Sequence, residues 1–241
     1  MGLLKKYVKS RTTLALRRAI RELATETLIY FRHWYWVRKV PRFVRTLPLK
    51  LNLGCGPNYK PGWVNIDLFA SGADLRLDLR KRWPFPNGSA THIYSEHALE
   101  HFEFAEEVPH FMSESLRVLQ DAGVFDVGVP DTEWAIRAYG NPDHDYWRHA
   151  PIWHPLDCET QIDHINYHFR QGEQHKYAWD EQTLKGVLQR SGFEFVTRRP
   201  FDATLDTEFR RIGTLYMRAI KPSTGTVPSS ADKVSIPPTP D

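Results

Sequence analysis

The hydrophobic pattern of the chain changes at Pro48. From Thr12 to Val40, Leu16, Ile20, Leu23, Thr27, Phe31 and Trp34 recur at steps of three and four, with Arg17, Arg18, Arg21, Glu22 and Glu26 between them. That spacing predicts one amphipathic helix, with Pro41 as its stop. Beyond Pro48 the pattern becomes short apolar runs separated by helical or turn segments. Strands are predicted over 49–54 (LKLNLG), 63–68 (WVNIDL), 74–79 (DLRLDL), 92–96, 123–130, 193–200 and 213–222. One helix is predicted over about 106–120 and another from Asp180, as N-cap, to Gly192, as the C-terminal stop. Strands alternating with helices imply an α/β fold: a doubly wound, seven-stranded, mostly parallel sheet behind an N-terminal helical extension.

Composition divides the chain the same way. Residues 1–48 carry twelve Lys or Arg against two Glu, so the net charge of +3 hides a basic extension on an acidic body. The segment YFRHWYWVRKVPRFVR interleaves aromatics with cations. Three readings stay open for it: packing of its apolar stripe on the body, peripheral membrane contact through residues 12–45, or RNA contact. Of these, nucleic acid is given the least weight. Residues 49–222 are expected to form one domain, with 141–179 as an insertion and 223–241, rich in Pro, Ser, Thr and Gly, as a disordered tail. Two cysteines, neither in a C-x-x-C pair, argue against a disulfide framework and a cysteine-based zinc site. With no long apolar run and no signal-peptide core, the expected setting is cytoplasmic, peripheral at the inner membrane surface if the extension binds lipid.

The candidate chemistry starts at LNLGCGPN, where a strand runs into G-x-G at the first strand–loop junction. Glycines there allow a tight turn and close ligand approach at the carboxyl edge of an open sheet. The next strand ends in Asp67, suited to accept from ribose hydroxyls, and the one after carries Asp78, suited to an adenine amino group. Dinucleotide folds have a full helix before the ribose acid. PNYKPGW leaves room only for a turn.

This ordered set resembles the class I S-adenosylmethionine-dependent methyltransferases, over about Leu49 to Pro222. LNLGCGP is similar to their first motif and VNIDL to their ribose-binding segment. DLRLDLRKRWPFPNGSATHIYSEHALEHF resembles their adenine-side acid and fourth strand, and ESLRVLQDAGVFDVGVPD their following helix and fifth strand. The resemblance implies a Rossmann-like fold and S-adenosylmethionine as cofactor. It further implies that Gly54, Cys55 and Gly56 wrap the methionine end, Asp67 holds the ribose and Asp78 with Leu79 the adenine, with Leu53, Leu68 and Ser95 also cofactor-binding. The sequence departs from the family pattern at Asn52, Asn58 and Q-D-A-G.

SEHALEH (95–101) spells H-x-x-E-H, a zinc-peptidase signature when it lies on a continuous helix. Here it leaves a predicted strand before the next helix, so no metal is expected. His97 becomes the candidate catalytic group, a base or an orienting residue. Helix-start packing of Glu96 and Glu100 is the non-functional alternative. In the insertion, His164 and His168 stand at i and i+4, which permits a metal, but the irregular spacing favours an aromatic, polar lid over a small-molecule or glycan-linked acceptor. The expected activity is therefore O- or N-methylation of such an acceptor. An RNA methyltransferase and a non-catalytic cofactor-binding domain docked at membranes are the alternatives.

Overall fold

The computed structural model describes residues 12–45 and 47–223. The expected tail, apart from Ser223, and residues 1–11 of the extension lie outside the described residues. In chain order the elements are α1 (Leu14–Val37), α2 (Pro41–Val44), β1 (Leu49–Leu53), β2 (Val64–Ile66), β3 (Ala90–Glu96), a 3-10 turn (Leu99–His101), α3 (Glu107–Val118) and β4 (Leu119–Pro130). Three helices of the insertion region follow: α4 (Thr132–Ala138), α5 (Tyr146–Trp153) and α6 (Gln161–Arg170). The chain then forms α7 (Glu181–Arg190), β5 (Glu194–Arg198) and β6 (Thr214–Ile220).

The six strands form one sheet in the order β2-β1-β3-β4-β6-β5. β1 to β4 pair in parallel, and β6 runs antiparallel between β4 and β5. This is the mixed, Rossmann-like α/β architecture expected from the alternation, with six strands instead of seven. Leu51, Leu53, Ile66, Ile93, Phe125 and Met217 are fully buried in the core that the helices cover. Each such side chain contributes roughly 1.5–3 kcal/mol by leaving water.

The missing strand is DLRLDL. Leu75, Leu77 and Leu79 are buried as the alternation demanded, but only Leu75 bridges to Ile66. The amides of Asp74 and Leu75 both donate to Asn65 O, and that of Asp78 donates to His33 Nδ1 of α1. Period-two alternation reports burial on one side; it does not guarantee a strand partner for the backbone.

The long helix is α1, capped by Thr13 Oγ1 accepting from Leu16 N–H. Pro41 opens α2 at its first turn, where a missing N–H costs nothing, as well as closing the segment before it. The expected Asp180 cap is present, with Oδ1 accepting from Thr183 N–H, and Gly192 follows α7 at φ +102°.

Ile29, His33 and Trp36 mark the side of α1 toward the body. Leu16, Ile20, Leu23, Phe31 and Trp34 are exposed. The apolar stripe therefore faces outward, and packing of that stripe on the body is excluded. Polar contacts hold the inner side: Arg32 Nη1 donates to Leu68 O, and Arg80 makes a two-pronged pair with Glu26 at 2.9 Å.

At the sheet centre Asp126 is fully buried on β4. It meets His92 Nε2 (2.7 Å), Arg218 (2.8 and 2.9 Å) and Arg199 Nε (2.8 Å). Burial alone would raise its pKa, but His92 and Arg218 hydrogen bonds and the Arg199 charge outweigh it and hold it at about 2. That lies below the unfolded carboxylate near ~3.9. Its contribution is therefore present above that value and is lost as pH falls toward 2. Asp126→Ala should cost about 3 kcal/mol at neutral pH by removing the shared buried partner of His92, Arg218 and Arg199, although Arg199 keeps Asp206. Urea unfolding of both proteins should show this gap, and the gap should shrink on acidification.

Candidate active site

Strand order reverses around β1, which has β2 on one side and β3 on the other. Open α/β sheets bind ligands at such a switch point, beyond the carboxyl ends of the strands. Three strand exits meet there: Gly54 after β1, Asp67 after β2 and His97 after β3.

The glycine loop is held by its own neighbours. Asn52 Nδ2 donates to Asn58 O (3.0 Å) and to Asn65 Oδ1 (2.8 Å), and Cys55 N–H donates to Ile66 O. Asn52, a departure from the family pattern, thus closes the loop by donating where an acid can only accept. Gly54 (φ +66°) lies against Ala98, where an added Cβ would come within 2.4 Å of the alanine methyl. Gly56 (φ +50°) faces open space, with nothing within 4 Å of an added Cβ. Cys55 is buried, and burial followed by the charges of Asp67 and Asp74 pushes its thiol up to about 12. It is an uncharged wall residue.

Asp67 ties the first two loops together. Oδ2 accepts from Gly56 N–H (2.9 Å), while Oδ1 accepts from Phe69 and Ala70 N–H, each at 2.7 Å. A carboxylate offers about four acceptor positions, which leaves Oδ2 able to accept a hydrogen bond from a hydroxyl. Leu53 is fully buried behind the loop. Opposite it in register is Ser95, whose Oγ is buried without a hydrogen-bond partner. An open glycine cradle, an acid with spare capacity and an orphaned hydroxyl fit a polar ligand at this edge.

The expected adenine side is differently occupied. Asp78 is buried, and its carboxylate pairs with Arg80 Nε at 2.8 Å and Nη2 at 3.1 Å. Leu79 is buried and its carbonyl accepts from Trp83 Nε1. With Arg32 on Leu68 O and His33 on the Asp78 amide, α1 lies against both segments that follow Asp67. Sequence reasoning missed these three partners; Arg80 stands two residues from Asp78, but nothing local marks Arg32 or His33.

His97 sits at φ +52°, a left-handed turn that a histidine adopts at a cost, at the point where β3 leaves the sheet. Its N–H donates to Gly128 O (2.8 Å), Nε2 is hydrogen-bonded to Thr214 Oγ1 (2.8 Å), and Nδ1 lies 3.7 Å from Glu100 Oε1. Burial, then the Arg210 charge, holds its pKa well below the ordinary value, so the ring is neutral at physiological pH. Glu96 is buried and serves the scaffold: it accepts from Thr207 and Tyr216 and lies 3.5 Å from Arg210. In the insertion, His164 meets His154 (Nδ1 to Nδ1, 2.9 Å) and makes no pair with His168. A small second core of Ala135, Ala138, Tyr146 and Ala150 holds α4 and α5 together, with Trp134, Trp147 and Ile165 packed on it.

Residues 70–127 match a family described as "Methyltransferase domain". That match begins beyond the glycine loop and Asp67. No curated protein matches the chain. Similar solved structures include a complex of the Haloferax volcanii Trm112 methyltransferase activator with its methyltransferase (17% identity, 85% of this chain and 96% of that one, TM-score 0.45). A SAM-dependent methyltransferase from Archaeoglobus fulgidus follows (14%, 77% and 92%, TM-score 0.43). A third is Haemonchus contortus phosphoethanolamine N-methyltransferase 2 with S-adenosyl-L-methionine (10%, 79% and 53%, TM-score 0.44). Likeness at this level bears on neither acceptor nor partner.

Over residues 70–127 the chain is similar to a methyltransferase domain, and the glycine loop and Asp67 lie just before that segment. The two glycines separate cofactor binding from folding. Gly56→Ala should cost only about 1–2 kcal/mol of stability, since backbone strain at positive φ alone opposes it. Its added methyl should weaken S-adenosylhomocysteine binding at least tenfold by calorimetry. Gly54→Ala should instead lower the melting temperature by several degrees, because Ala98 must move.

Proposed function

We propose that the chain transfers the methyl of S-adenosylmethionine to a hydroxyl or amine of a small-molecule or glycan-linked acceptor, and does so at a membrane surface. The observation that carries the reading is the open cradle at Gly56 beside Asp67 Oδ2, at the switch point of the sheet. Gly54, Cys55 and Gly56 line the methionine end, with Leu53 and Ser95 behind, and Asp67 and Leu68 hold the ribose. Asp78 and Leu79 flank the adenine as buried wall, with Arg80 keeping the Asp78 carboxylate. When bound, the cofactor supplies an electrophilic methyl on sulfur.

The residues of this chain then position an acceptor atom in line with that methyl. His97, neutral and fixed by Thr214, is a poor proton acceptor because its pKa is held low. Its role is to orient the acceptor by a hydrogen bond. Residues 141–179 bring aromatic faces and polar edges to the acceptor side, which suits a hydroxylated ligand. Among the described residues no helix is long and apolar enough to cross a membrane. The outward stripe of α1 with Arg38 stacked on Trp34 and Lys39 on Tyr35 suits an anionic lipid interface. The expected setting is the cytoplasmic face of a membrane.

Calorimetry should detect one S-adenosylhomocysteine per chain, and Asp67→Asn should weaken it about 10–100-fold, the worth of a charged hydrogen bond. No binding at high micromolar concentration would end the methyl-transfer reading. For the surface, the full chain should float with phosphatidylserine vesicles and not with neutral ones. Phe31→Ser with Trp34→Ser, both exposed positions, should abolish flotation without changing the melting temperature. Equal flotation of variant and parent would remove α1 from membrane contact.

A further inference from the structure

The last residues of SEHALEH meet a side chain from the far end of the insertion. Glu100, His101 and His175 bring one ligand atom each to within 4.8 Å of one another. The main chain enforces the meeting: Lys176 N–H (2.7 Å) and Tyr177 N–H (3.3 Å) both donate to Glu100 O.

The two imidazoles are oriented alike. His101 Nδ1 is hydrogen-bonded to Gln174 O at 3.0 Å, and His175 Nδ1 to His168 O at 2.9 Å. A carbonyl can only accept, so each Nδ1 carries the proton and each Nε2 keeps its lone pair. This carbonyl support behind the ring is the arrangement that fixes metal-binding histidines. His175 Nε2 is buried without a partner, and His101 Nε2 lies 3.8 Å from Glu100 Oε1. Glu100 is 1% exposed, its Oε2 has no hydrogen-bond partner, and among the described residues no Lys or Arg pairs with it. Two imidazole nitrogens and a buried carboxyl group with a free Oε2 thus converge. Burying the unpartnered Glu100 Oε2 and His175 Nε2 is costly unless a cation completes them.

We propose that Glu100, His101 and His175 form a binding site for a divalent transition-metal ion, with zinc the ion that best suits two imidazoles and one carboxylate. Zinc bonds of about 2.0–2.1 Å place tetrahedral ligands roughly 3.4 Å apart. Closing from 4.8 Å is within reach of side-chain rotation, since His101 lies on the exposed rim. Three protein ligands leave a fourth position for an oxygen donor. His97 stands beside Glu100, so that position borders the acceptor side of the cleft. An acceptor hydroxyl or carboxylate bound there would be oriented by the ion. Neither the continuous helix of a zinc peptidase nor its spacing is needed: the third ligand comes from the insertion.

Zinc binding requires neither cofactor nor acceptor, so its test is independent of methyl transfer. The full chain, freed of metal by chelator and dialysed, is titrated with zinc chloride by calorimetry, with elemental analysis of the dialysed product. One zinc per chain with a submicromolar dissociation constant is expected. His101→Ala and His175→Ala should each weaken it at least tenfold, while His149→Ala, in the same insertion but outside the cluster, should not. No stoichiometric zinc on the folded parent, or unchanged affinity in both cluster variants, overturns the site. Cobalt chloride added to the parent reads the ligands without any substitution. A tetrahedral visible spectrum with no sulfur charge-transfer band supports the set; an aquo-like spectrum or a thiolate band overturns it.

Discussion

The walls of the site depend on carboxylates buried in and beside the sheet, of which Asp126 is the central one. It stands on β4 and gathers His92 from β3, Arg218 from β6 and Arg199 from the segment after β5. Arg199 also grips Asp206, which receives the Tyr94 hydroxyl and the Asp202 amide. The antiparallel β6 is thereby locked beside the parallel strands, and the loop before it is drawn over their ends. Glu96 continues the arrangement, anchoring Thr207 and Tyr216. Thr214, the partner of His97, starts the strand so positioned. Removing one member of such a network leaves another charge buried and unmatched, which is why the network constrains geometry more than it adds net stability.

The N-terminal helix shows how side-chain chemistry redirects a familiar pattern. An amphipathic helix on a soluble domain ordinarily turns its apolar stripe inward. Here the inward side combines Ile29, Trp36 and Val37 with specific polar contacts: Arg32, His33 and Glu26 answer Leu68, Asp78 and Arg80. The aromatic stripe is left for another surface. The same contacts take the Asp78 amide and, through Arg80, its carboxylate, so the helix and the expected nucleoside side share groups.

SEHALEH carries three kinds of work in seven residues. Ser95 and Glu96 finish the strand, one left with an orphaned hydroxyl and the other tied into the scaffold. His97 turns the chain out of the sheet at positive φ. Glu100 and His101 lie in a single 3-10 turn, and the segment after α6 is fastened to them through the Glu100 carbonyl. The motif is therefore a junction between the carboxyl edge of the sheet and the insertion.

Local pattern alone determined the α/β class, the long helix, the Asp180 cap and the glycine loop followed by Asp67. Periodicity, caps and turns act over a few residues, and those forces are written in the adjacent sequence. It also located the buried alternation of Leu75, Leu77 and Leu79, but not its failure to pair, since the edge strand β2 is only three residues long and Leu75 alone bridges to it. Tertiary structure decided the rest. The stripe of α1 faces outward because Arg32, His33 and Glu26 find partners more than thirty residues away. His97 is held by Thr214, and His175 reaches Glu100 and His101, because the sheet order brings β6 and the insertion to one edge. Contacts between distant residues are set by packing of the whole core, and no local spacing records them.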